Sequence, residues 1–236
     1  MSINGKPKNG KMGLTLLQIT DSLFPIGGFT QSNGLETYVQ RGIVRDTATA
    51  GGYLRNTILY NVAHNEGLCL RLAWEYAADK SLERLIALDE LVSALKVPME
   101  IRQGSNRLCT RFIKVVCKME TDEMTMEYER LIKLGICSGH YSIAFGMFGY
   151  AAGIPKREAL TAFLYSTASA VVNNCAKLIP LRQIDGQLIL YNSQDIILEA
   201  VDRIEKLSME DLGMCCVGAE IRSMQHEQLY SRLYMS

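Results

Sequence analysis

Histidine is scarce in this 236-residue chain, and charge of one sign is not in excess. There are three histidines, and 25 Lys plus Arg balance 25 Asp plus Glu. With no net positive charge and no Lys/Arg run, the electrostatic footprint of a nucleic-acid-binding protein is absent, which argues against a helical DNA-binding regulator. The longest uncharged apolar run, Ile143 to Ile154, is shorter than the roughly 20 residues that span a bilayer. No apolar signal region follows Met1; residues 1–12 are polar and rich in Lys, Gly and Asn, and read as a disordered leader. The sequence has no GxxxxGK[ST] phosphate loop, so the chain is not a P-loop NTPase, and it has no GxSxG, HExxH or CxxC motif. Nothing in it groups the residues of a catalytic centre, and no cofactor is expected.

Seven cysteines are present, at 69, 109, 117, 137, 175, 215 and 216. Their odd number and apolar neighbours read as reduced core thiols of a cytosolic protein. Cys215 and Cys216 are adjacent, which is not a metal-binding spacing; His226 follows ten residues later, so these three are weak metal candidates only. A helical enzyme using that metal is the alternative to a protein-interaction module.

What the chain does have is helical periodicity along nearly its whole length and no convincing alternating strand. The spacing predicts helices over Leu14–Phe24, Thr30–Arg41, Asp46 to about Tyr60, His64–Ala78, Ser81 onward with Ser81 as cap, Pro98–Met119, Glu123–Leu134, His140–Ala152, Pro155–Leu178, and Gln183–Lys206 with a break near Asp185-Gly186. Ser208 and Asp211 form a capping-box pattern ahead of a last short helix. About ten helices with short connections imply an all-α, bundle-like single domain over residues 13–224. Residues 225–236 remain as a flexible tail. Leu229, Tyr230, Leu233 and Tyr234 would share one face if helical, yet so short a segment holds no helix alone in water. It docks on the body, docks on a partner, or stays disordered.

Three segments stand out. Phe24-Pro25-Ile26-Gly27-Gly28-Phe29 makes a tight corner that is unusually apolar, a buried turn or a docking corner. Arg102-Gln103-Gly104 with Arg107 puts a glycine inside a long helix, where it costs about 1 kcal/mol relative to Ala and points to a close helix approach, with the arginines at a subunit contact or on a solvated face. The helix through Phe163 to Leu178 is apolar nearly all round, so Lys177 on it needs a partner or a route to solvent.

In this order the segments resemble the urease accessory protein UreF family. Leu16-Leu17-Gln18, Phe24 to Phe29 and Gly34-Leu35-Glu36 are similar to its N-terminal signature, Arg102-Gln103-Gly104 to a mid-chain motif, and Lys177-Leu178-Ile179-Pro180-Leu181 to a helix-break motif. Met224-Gln225-His226-Glu227 and Tyr230-Ser231-Arg232-Leu233 resemble its terminal signature. Tyr234-Met235 departs from the Phe-Arg more usual at the end. The resemblance implies an all-α cytoplasmic homodimer that is not an enzyme. It implies a nickel-insertion chaperone that bridges a UreD/UreH-type accessory protein and the GTPase UreG and acts with them on apo-urease. On that reading, residues 225–236 order on the UreD/UreH-type partner. The partner-binding residues are then Phe24, Pro25, Gly27, Gly28 and Phe29 at the corner, and His226, Glu227, Tyr230, Ser231, Arg232, Leu233 and Tyr234 in the tail. Tyr230, Leu233 and Tyr234 would bury in the partner and Arg232 would pair with one of its acids. Arg102, Gln103, Gly104, Arg107 and Lys177 are the candidates for a dimer or GTPase contact.

Overall fold

A computed structural model describes residues 8–28, 31–214 and 217–235. Helix α1 spans Lys8–Thr20, α2 Leu35–Gln40, α3 Thr47–Asn56, α4 Leu68–Ala78, α5 Leu82–Leu95, α6 Met99–Met119, α7 Glu123–Lys133, α8 Tyr141–Ala151, α9 Lys156–Leu178, α10 Gln183–Asn192, α11 Gln194–Ile204 and α12 Val217–His226. No strand occurs among the described residues.

Most helix ends have the expected local cause. The Asp46 carboxylate accepts from Thr49 N at 2.8 Å, and Asp122 does the same for Thr125 N at 2.8 Å. Gly135 and Gly153 end α7 and α8 at φ 73° and 71°, a region an L side chain avoids. Four boundaries differ from the pattern. α1 starts at Lys8, so residues 8–12 of the segment read as leader are helical, and it stops at Thr20 rather than Phe24. α2 starts only at Leu35 because Asn33 and Gly34 take positive φ, 52° and 83°, which no helix propagates. The two helices expected across residues 46–78 are one rod, since α3 passes through an eleven-residue π-helix, Thr57–Gly67, straight into α4. The break expected at Asp185-Gly186 lies instead at Ser193, between α10 and α11. Ser81 precedes α5 without a side-chain capping bond.

The core forms where α4 and α8 cross at backbone distance. Gly146 makes this possible: a Cβ there would run into the Leu70 carbonyl and stand 3.1 Å from Ala73 Cβ. Around this crossing Phe112, Tyr141, Phe145, Phe148 and Phe163 pack with ring centroids 5.2 to 6.0 Å apart. The long α9 lies against α1, α2, α3, α8, α10 and α11, with Leu160, Leu164, Ala168 and Val172 buried. It is less uniformly apolar in surroundings than its sequence suggests, for Tyr165, Ala170 and Ala176 are exposed. Gly67 at the end of the π-helix lets α11 in, since a Cβ there would lie 2.5 Å from Ile204 Cδ1. Asp89 ties the α7–α8 loop down, accepting from Tyr128 Oη at 2.6 Å, Ser138 N at 2.7 Å and Gly139 N at 2.9 Å.

Candidate protein-docking site

The chain's end lies on its own body. Residues 227–235 form turns rather than a helix, because the backbone is held by side chains of other elements. At the centre is Glu36 of α2, 4% exposed. Its Oε1 accepts from Leu233 N at 2.8 Å and its Oε2 from Tyr234 N at 3.2 Å. His226, fully buried at the end of α12, sets Nε2 3.1 Å from Glu36 Oε2 and Nδ1 2.7 Å from Glu100 Oε2. Arg232 Nη1 donates to the other oxygen of Glu100 at 2.6 Å. Gln40 Nε2 donates to Ser231 O at 3.2 Å, and Thr37 Oγ1 to Arg222 O at 2.9 Å. Gly34 admits α12, since a Cβ there would sit 2.7 Å from Ser223 Oγ.

This arrangement redistributes the tail residues. Tyr234 is buried in this chain, with the Lys177 ammonium 5.9 Å above its ring, rather than free to enter a partner. Arg232 is paired within the chain by Glu100, and His226 is a buried clamp. The helical face expected for the tail does not form. Tyr230 at 106%, Leu233 at 64% and Met235 at 56% exposure point outward. They continue from α12, whose Val217, Ile221 and Met224 fall at i, i+4 and i+7 and are exposed. Glu227 is half-buried and Ser231 exposed.

His226 offers nothing to a metal here, because both ring nitrogens are engaged by carboxylate oxygens. Cys215 and Cys216 lie outside the described residues. Among the described residues no group of three His, Cys, Asp or Glu is placed to hold a metal ion. The cysteines seen are free thiols, four buried and Cys117 half-buried; burial pushes Cys69 and Cys175 up to about 12 and Cys137 up to about 11, which keeps them protonated.

The corner at residues 24–28 is half inside. Phe24 packs at a tilt against Phe112 with ring centroids 5.8 Å apart, Pro25 is exposed, and Arg111 fills the space beside Gly27 while donating to Ile26 O at 3.1 Å. Gly28 is half-buried, and Phe29 lies outside the described residues. The mid-helix Gly104 does not admit a second helix; it makes room for the Gln31 side chain, whose Nε2 would be 2.7 Å from an added Cβ. Arg102 Nη1 caps the end of α5, donating to Lys96 O at 2.7 Å. Gln103, Arg107 and Lys177 are exposed, which is Lys177's route to solvent.

Behind the clamp lies a cavity of about 240 Å³ between residues 26–28 and 31–33, the π-helix, α6, α8, α9 and α12. Its walls carry neutral hydrogen-bonding groups such as Gln31, Asn61, Asn65 and Asn174, and one ion pair, Glu66 with Lys96. The Ser32 hydroxyl, buried on its rim, has no hydrogen-bond partner among the described residues. The sequence singles out Glu36 only as part of the Gly34-Leu35-Glu36 motif, without a role, and it singles out neither Glu100 nor this cavity. The available signal was a carboxylate on the first turn of a short helix, between Leu35 and Thr37.

The fold and the clamp define an all-helical protein whose most elaborate polar construction holds its own C-terminus in place. Comparison with known proteins is consistent along almost the full length. The UreF family model matches residues 44–194. A urease accessory protein UreF from Actinobacillus pleuropneumoniae is 40% identical over 227 residues, 96% of this chain and 100% of the relative. UreF of Haemophilus influenzae strain Rd is 40% identical over 221 residues, 94% of each chain. UreF of Arthrobacter sp. strain FB24 is 33% identical over 227 residues, 96% of this chain and 98% of the relative. The chain belongs to the UreF family of urease accessory proteins.

Proposed function

We propose that this chain is a non-enzymatic, cytoplasmic nickel-insertion chaperone. It bridges a UreD/UreH-type accessory protein and the GTPase UreG, and acts with them on apo-urease as a homodimer. The observation that carries the reading is the outward row Tyr230, Leu233 and Met235, held beside the exposed apolar face of α12. Large exposed apolar side chains in a contiguous row are the mark of a surface covered by another protein. The UreD/UreH-type partner takes this face together with the corner at Pro25. The exposed Gln103, Arg107 and Lys177 are the candidates left for the GTPase. A second apolar row, Ile184, Leu188 and Tyr191 on α10, at 71%, 53% and 68% exposure, suits the two-fold contact of a homodimer. No helix among the described residues is long and apolar enough to cross a membrane, consistent with work in the cytoplasm.

Removing residues 226–236 tests the reading. The truncated chain is expected to keep its helical content and to lose co-purification with the UreD/UreH-type partner. Retained co-purification would refute the assignment of this face.

A further inference from the structure

We infer that Glu36 is the positioning residue for partner binding: it sets the tail in the pose that presents Tyr230, Leu233 and Met235. The inference rests on the reading of the tail as partner-binding and adds to it a buried residue nearly two hundred positions away, on α2.

The geometry is specific. A buried carboxylate is costly unless its oxygens are hydrogen-bonded, and Glu36 spends its acceptors on the tail: two consecutive backbone N–H groups, of Leu233 and Tyr234, and the His226 ring. Holding those two N–H groups holds the backbone at residues 233–234, where Tyr234 enters the body at 6% exposure while Leu233 and Met235 face out. Arg232 donates to the Glu100 oxygen that His226 leaves free, so both carboxylates are held by the same C-terminal segment. His226 lies between both carboxylates, so α12 is joined to the same anchor that holds the tail. Glu36 itself is out of a partner's reach, being 4% exposed. Its effect on binding therefore runs through the tail.

Glu36→Gln replaces one acceptor oxygen by an NH₂ group, which faces donors and leaves at least one of them unpaired. Two readouts are paired on the full-length chain: affinity for the UreD/UreH-type partner, and backbone amide exchange at saturating partner. The expected result is at least a tenfold loss of affinity and at least tenfold faster exchange at Leu233 and Tyr234. Amides of α4 and α8 should keep wild-type protection, which a general loss of stability would not allow. Where the unfolding midpoint of Glu36→Gln falls, Glu100→Gln, nearer the surface, supplies the same reading. Wild-type affinity in Glu36→Gln, with binding still abolished by deletion of 226–236, overturns the positioning role while the tail reading stands. Unchanged exchange at Leu233 and Tyr234 also overturns it. Wild-type binding by the deleted chain removes the tail reading itself.

Discussion

His140 should make this protein lose stability as the pH falls below the ordinary histidine range. The ring is fully buried at the start of α8. Its Nε2 lies 2.8 Å from Ser93 Oγ and its Nδ1 3.3 Å from Ser105 Oγ. Hydroxyls both donate and accept, so a neutral imidazole is satisfied with one nitrogen in each role. Burial, with the positive charges of Lys96 and Arg102 adding to it, pulls its pKa from 6.5 to about 3. The folded state thus holds the neutral form while the unfolded chain protonates at 6.5. A base lowered in this way contributes stability that is full above 6.5 and is lost as pH falls from there toward about 3. Each unit in that window removes about 1.4 kcal/mol, so about 2 kcal/mol is gone near pH 5. Urea unfolding of wild type and of His140→Gln at a series of pH values isolates this contribution. Gln retains hydrogen-bonding groups but does not titrate, and the other titrating groups cancel in the difference. The stability gap between wild type and variant should narrow by about 2 kcal/mol between neutral pH and about pH 5. A gap that stays constant would refute a neutral buried ring.

The helical architecture was legible because periodicity, prolines and glycines report local energetics that tertiary packing leaves intact. Pro98 and Pro155 stand immediately before α6 and α9, and Gly135 and Gly153 just after α7 and α8. What misled was local chemistry overruled from a distance. The π-helix Thr57–Gly67 bridges α3 and α4, and it packs against α11 through Gly67, a contact that no window of neighbouring residues contains. Gly104 has the same origin: its place inside a helix predicts the close approach of another helix, but the approaching group is the Gln31 side chain, 73 residues earlier. The sequence leaves the tail three courses, docking on the body, docking on a partner or staying disordered, and in the structure it lies on its own body. Glu36 and His226 are 190 residues apart. Their pairing is invisible to spacing rules, since it depends on α2 and α12 being brought side by side.

Two further perturbations separate competing physical effects. Gly146→Ala gains about 1 kcal/mol by intrinsic helix propensity, yet its Cβ meets the Leu70 carbonyl, a backbone atom that can yield only if α4 and α8 part. A net loss of about 1–3 kcal/mol is expected, read as a fall of several degrees in Tm; a stabilised variant would mean that the crossing has slack. Leu188→Asp places a charge in the middle of the exposed α10 row, 53% exposed in the single chain. The side chain faces water in the monomer, so folding should be nearly untouched. In a two-fold contact the same position meets its own copy, and two carboxylates would be brought together without a counter-charge, a juxtaposition that costs several kcal/mol. Light scattering should therefore report twice the chain mass for wild type and the mass of one chain for the variant. A wild type that scatters as a single chain at tens of micromolar, or a variant that still doubles, would take the homodimer contact away from α10. The distinction matters for the assembly as a whole: α12 and the tail already present one apolar face, and a dimer built through α10 leaves that face open on both copies at once.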